Sequence, residues 1–208
     1  MNNKMLLSVS WIAIILTGCA GVGVVKTDDP LTKLNEAGYL YERQDRPLMA
    51  ERLIFEAREI YIKENNQLGV ASANRQYGYF LVSQSVTNWE KVYRENGFQD
   101  RSVTFDNRSI KSKEYLTIAL DNYNAAESQA KNKSEYDKIV NINYNRANIY
   151  NTLGNVAGSC AALDNALAAY NENIKRNPTA KPAMPSGYSS FAEFINDKKT
   201  AYKCSTAL

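Results

Sequence analysis

Histidine is absent from all 208 residues. That absence removes Ser-His-Asp and Cys-His nucleophilic catalysis, His-ligated zinc and the commonest general base. Cysteine is scarce too: Cys19, Cys160 and Cys204 are the full set, with no Cys-x-x-Cys redox pair and no cluster at metal-ligand spacing. A glycine-rich phosphate loop and a paired-carboxylate motif are also missing. Glu51, Glu56 and Glu59 fall together, but the intervening Arg52 and Arg58 point to i,i+4 pairing on an exposed helix face. The net charge is +3 and the pI about 8.6, with basic residues mixed among acids, so the basic stripe of a nucleic-acid binder is lacking. These gaps argue against an enzyme and against nucleic acid as a partner, and they call for no metal and no cofactor.

The amino terminus carries the clearest positive signal. Lys4 precedes an apolar run from Met5 to Leu16, closed by Leu16-Thr17-Gly18-Cys19. This reads as a secretory signal, too short to span a bilayer as a mature anchor. The tetrapeptide resembles the bacterial lipobox, which implies lipidation of Cys19, removal of residues 1–18 and attachment to a membrane through an N-terminal lipid. Two or three acyl chains hold a domain there durably, since each buried methylene contributes about 0.8 kcal/mol. Ala20 in place of an aspartate implies, by the same resemblance, the outer membrane with the domain facing the periplasm. The competing reading is an ordinary cleaved signal with an incidental cysteine. No second run long enough to span follows, and residues 19–30 read as a lipidated end and tether that reaches roughly 30 Å if extended. Export leaves Cys160 and Cys204 as the remaining thiols, and one disulfide between them would close a loop of about 43 residues. A structural bond is the expected role; a redox-active pair is the alternative.

Small and large residues recur at helical spacing in three places. Gly38 and Tyr41 are followed by Ala50, Ile54 and Ala57; Ala147 and Tyr150 by Ser159, Leu163 and Ala166; Gly78 and Leu81 by Ala119, Tyr123 and Ala126. The first small residue leads the second by twelve positions in two sets and by 41 in the middle one, which therefore holds an insertion, placed at about 86–108. Ala57 to Gly78 and Ala126 to Ala147 are both steps of 21. Small residues let antiparallel helices approach closely where they cross, and the neighbouring large ones fill the groove. A single hairpin cannot bury its apolar face, so successive hairpins should stack. The run from Asn145 to Asn155, continued through Ala166-Leu167 to Asn177-Pro178, resembles the tetratricopeptide repeat family, as does the first set from Leu34 to Ala57. The resemblance implies an all-α fold: a right-handed α-solenoid of about three such hairpins over 31–178. Leu34, Asn74 and Asn143 stand where the family places an aromatic.

Helices are expected near 31–44, 47–65, 67–85, 109–131, 134–153 and 156–176. Pro47 suits a first turn and Gly154-Asn155 a break. Residues 179–208 begin as a Pro-rich linker and pass through Ser190-Phe191-Ala192-Glu193, a capping box, into a last helix. Phe191, Phe194, Ile195 and Tyr202 form its apolar stripe, as a capping element requires.

Two surfaces are candidates for binding. The insertion carries Trp89, Tyr93 and Arg94, and two readings stay open: its aromatics pack on the array as an extended helix ended by Gly97, or they anchor a partner. The first-helix face, by family geometry, presents Asn35, Tyr39, Glu42 and Arg43, then Arg75 and Tyr79, then Tyr144, Asn148 and Asn151. Amides and aromatics there suit an extended peptide or a helix. The expected function is a non-catalytic, lipid-anchored adaptor or assembly factor that binds an envelope protein; the alternative is a periplasmic immunity or inhibitor lipoprotein that occludes a toxic effector protein.

Overall fold

The computed structural model describes residues 27–179 and 185–204. The expected signal segment, Cys19 and most of the expected tether lie outside them. The described residues are helical without strands: α1 (Pro30–Arg43), α2 (Pro47–Lys63), α3 (Gln67–Leu81), α4 (Gln84–Asn88), α5 (Glu90–Asn96), α6 (Arg108–Asn132), α7 (Tyr136–Thr152), α8 (Val156–Arg176) and α9 (Phe191–Ala201). None of these helices is long and apolar enough to cross a membrane.

Helix starts follow local chemistry. Asp29, Asn66, Asn155 and Ser190 each accept a hydrogen bond from a backbone N–H in the first turn of α1, α3, α8 and α9, which satisfies an otherwise orphaned donor. Glu193 of the expected capping box reaches back to the backbone N–H of Ser189, at 2.8 Å, one residue before the cap. Four interhelical turns share one geometry. Asp45, Asn65, Ser134 and Gly154 adopt positive φ, and the next residue's N–H returns to the preceding helix, as Asn66 does to the Tyr61 carbonyl at 2.9 Å and Asn155 to that of Tyr150 at 2.8 Å. This left-handed closure satisfies the last carbonyls and reverses the chain within a few residues.

The most extensive packing joins α1 to α2, α3 to α6 and α7 to α8; α2 then meets α3, α6 meets α7, and α9 covers α8. Three apolar clusters follow this order. The first lies among α1, α2, α3 and the segment 82–107, the second among α3, α6 and α7, and the third among α7, α8 and α9. Between helices of a pair, the Ser112 hydroxyl donates to the Gly78 carbonyl at 2.7 Å, and the Ser159 hydroxyl to that of Ala147 at 2.7 Å. Between pairs, Arg58 donates to buried Asn74 at 2.9 Å, and buried Asn143 donates to Glu127 at 3.2 Å, both across 16 residues. The two asparagines are thus buried but bonded, which avoids the roughly 1–3 kcal/mol cost of an unmet buried amide.

The middle crossing differs in register from the sequence reading. Gly78 meets Ser112 and Leu116 rather than Ala119, and a Cβ on Gly78 would lie 2.8 Å from the Leu116 side chain. The serine is 34 residues from the glycine, so the crossing sits seven residues earlier on α6. Ser112, Leu116 and Ala119 repeat the same small-large-small intervals as Ala119, Tyr123 and Ala126, and two turns of helix return to the same face.

The inserted segment is likewise not a simple helical extension. Helix α3 stops at Leu81, the Ser83 side chain caps α4, the chain turns again at Trp89, and α5 ends at Gly97, whose φ is 73°. These breaks fold Tyr93, Phe98, Val103 and Phe105 back onto Phe80 and the first core cluster, whereas a continuous α3 would carry them away from it. The glutamates are corrected as well. Glu56 pairs with Lys33 and Arg52, but Glu51 is only 2% exposed. It accepts the Tyr77 hydroxyl at 3.0 Å and the Gln99 N–H at 2.9 Å, so it ties α2 to α3 and to the inserted loop.

Candidate functional cleft

A cleft of about 680 Å³ lies where α1, α3 and α7 open toward α8 and α9. Leu31, Leu34 and Asn35 approach from α1, Ser72, Arg75 and Gln76 from α3, and Asp137, Val140, Asn141, Tyr144 and Asn145 from α7; Tyr170, Phe191 and Phe194 build the far wall. A smaller polar groove of about 390 Å³ lies at the α2–α3 and α6–α7 turns. The larger one combines apolar walls with convergent polar groups, the composition that ligand clefts share.

Its polar floor is ordered by helical spacing. Asn141 and Asn145 stand one turn apart on α7, and the Asn145 amide donates to Asn141 at 2.5 Å. Arg75 donates through Nη1 to the Asn145 oxygen at 2.7 Å. The Arg75 Nε is buried without a hydrogen-bond partner among the described residues, and no carboxylate there forms an ion pair with this guanidinium. Gln76 donates to the Leu34 carbonyl at 2.7 Å and so bridges α3 to α1.

The wall is aromatic. Tyr170 stacks on Phe191 with centroids 4.5 Å apart, and Tyr144 meets Phe194 at 5.3 Å. Helix α9 is held in place by a disulfide, Cys160–Cys204, with Cα atoms 5.7 Å apart, as expected from the two thiols. Lys199 adds an ion pair to Asp164 at 2.5 Å, and the Tyr202 hydroxyl donates to Asn148 at 2.5 Å. Burial pushes the Tyr202 and Tyr79 hydroxyls above the ordinary phenol range.

The first-helix candidates therefore separate. Asn35, Arg75 and Tyr144 converge on the cleft. Tyr39, 53% exposed, and Arg43 lie further along α1 outside its lining, and Tyr79 is half-buried beside it. Asn148 is engaged by Tyr202 and is not a free contact for a partner. Asn141, Asn145 and Gln76 escaped assignment from sequence, although the i,i+4 amide pair on α7 was a readable signal. The apolar stripe of α9 was read as a cover for the last hairpin, but its part in the cleft wall was not, because that depends on which way the last helix folds back.

The inserted candidates separate too. Tyr93 is 1% exposed and stacks on Phe98 at 4.2 Å, so it is a core residue and not a surface anchor. Trp89 is half-buried, with its indole N–H 3.3 Å from an Asp45 oxygen. Arg94 is exposed but occupied: it forks onto Asp106 at 2.8 and 3.1 Å and reaches Glu90 at 2.7 Å. Among the described residues no group of three or more Cys, Asp or Glu side chains is placed to hold a metal ion. No protein-family model, curated protein or solved structure matches the chain, so its functional reading rests on this geometry and on the sequence.

Proposed function

We propose that the chain is a lipid-anchored, non-catalytic adaptor on the periplasmic face of the outer membrane, and that it captures an envelope protein in the α1–α3–α7 cleft. On this reading the pairs α1–α2, α3–α6 and α7–α8 are tetratricopeptide-like hairpins in a short right-handed solenoid, and α9 is its cap. The observation that carries the proposal is the cleft itself: three helices from three successive pairs contribute to one mixed amide and aromatic surface. Such a surface suits side-chain hydrogen bonding and stacking with a peptide. The Leu16-Thr17-Gly18-Cys19 motif supports the anchor.

Two measurements test the two halves. Cys19→Ser should abolish labelling by a palmitate analogue and leave uncleaved precursor; unchanged labelling contradicts the anchor. Asn35→Trp, at the exposed rim of the cleft, should reduce recovery of crosslinked envelope proteins while the thermal midpoint stays within a few degrees. Recovery equal to that of the parent chain contradicts the cleft as the binding surface.

A further inference from the structure

Among the described residues Arg75 is the one arginine or lysine in the cleft lining, and it is only half satisfied. A guanidinium has five N–H donors in a planar fork, and here one donates to Asn145 while the Nε proton is buried with no acceptor among the described residues. A partly buried cation with no counter-ion is costly unless something supplies the charge, and a carboxylate fits the fork better than a neutral acceptor. The lining also holds a carboxylate, Asp137, which is exposed and has no ion pair among the described residues. It stands in the first turn of α7, eight residues before the Asn145 that accepts from Arg75, so Asp137 and the residue that holds the guanidinium are about 12 Å apart along the helix. Between them Val140 and Tyr144 line the cleft from α7, opposite Leu34 and Phe194.

We propose that the cleft takes an extended peptide whose acidic side chain sits on Arg75, whose cationic side chain four residues away, on the same face of the extended chain, meets Asp137, and whose intervening residues are apolar. This rests on the reading of the cleft as a peptide-binding face and specifies its ligand. The spacing follows from about 3.4 Å per extended residue against the helix's 12 Å. The asymmetry gives direction as well as charge, because a peptide bound in reverse places like charges together at both ends.

The test uses the purified full chain in mild detergent with its disulfide intact, and end-blocked fluorescent nonapeptides read by anisotropy. One probe carries a glutamate and a lysine four residues apart with leucines between; the others replace the glutamate by glutamine, replace the lysine by serine, or bring the two charges next to each other. The first should bind at least about tenfold more tightly than the glutamine peptide, as a charge-assisted bond in a partly dry site implies, and more tightly than the adjacent-charge peptide. Arg75→Gln should erase the preference for glutamate, and Asp137→Asn should erase the preference for lysine while leaving that for glutamate. Asp137 forms no hydrogen bond or ion pair among the described residues, so this arm stands even if Arg75→Gln lowers stability. Equal binding of the glutamate and glutamine peptides, no saturable binding at millimolar peptide, or a lysine preference that survives in Asp137→Asn overturns the proposal. If a partner still crosslinks to the cleft in cells while these preferences are absent, only the charge pattern fails and the adaptor reading stands.

Discussion

Glu51 is a carboxylate buried against Tyr77 and the Gln99 N–H, with no ion pair among the described residues. Desolvation dominates, and its pKa is pushed from 4.5 up to about 7. The folded chain therefore keeps a proton that the unfolded chain releases between those values. The resulting stability is fully present below about 4.5 and is lost as pH rises through about 7, a swing on the order of 3 kcal/mol. Glu51→Gln keeps an oxygen for both donors and removes the titration. Urea midpoints at pH 5 and pH 8 should diverge for the parent chain and nearly coincide for the variant, with the variant the more stable at pH 8; parallel pH profiles contradict this. Tyr93 allows a second check at the same scale. Its hydroxyl is buried with no hydrogen-bond partner among the described residues, so Tyr93→Phe should be neutral or stabilising, whereas Tyr93→Ala should cost about 3–5 kcal/mol by opening a cavity. A near-neutral alanine variant, read by denaturant unfolding, refutes the packing role. The burial of Glu51 was not legible in sequence, and that of Tyr93 was one of two open readings. Spacing identifies which residues share a helix face, but whether that face meets solvent depends on a loop nearly fifty positions away.

At the scale of the element, legibility was high where signals were local. Helix α8 runs from Val156 to Arg176, the limits read from the sequence, because Asn155 caps its start and the turn at Gly154 separates it from α7. It was low where two answers satisfied the same pattern. The two overlapping small-large-small runs on α6 are a heptad apart, and only the contact of Gly78 with Ser112 distinguishes them. Helix α3 was expected to continue to 85; it breaks because the aromatics beyond it are buried by turning back, a gain invisible to local propensity. The fate of α9 turns on the disulfide. An isolated helix of eleven residues is marginal in water, and this one is fixed by Phe191, Phe194 and Ile195 together with the covalent tie. Cys204→Ser should lower stability by about 3–4 kcal/mol in the chain-entropy view, and hydrogen exchange in α9 should accelerate more than in α1. Unchanged protection of α9 would show that its apolar contacts alone fix it.

For the whole molecule, the serial packing from α1 to α9 aligns one helix of each pair along a shared face, and the cleft forms where α9 closes that face. Half of this site could be read in advance: Asn35, Arg75 and Tyr144 recur at corresponding positions of successive helices, so a repeat pattern predicts that they share a surface. The other half could not, because Asn148 is taken up by Tyr202 and the Phe191 and Phe194 rings of the aromatic wall come from beyond the repeats. The inserted segment, a candidate surface on compositional grounds, is largely turned inward. Photocrosslinking in intact cells tests this account most directly, with the photoreactive side chain at Asn141 on the cleft floor or at Arg94 on the inserted segment. The account predicts a discrete adduct with an envelope protein from position 141 and none from position 94; adducts from position 94 alone would contradict it.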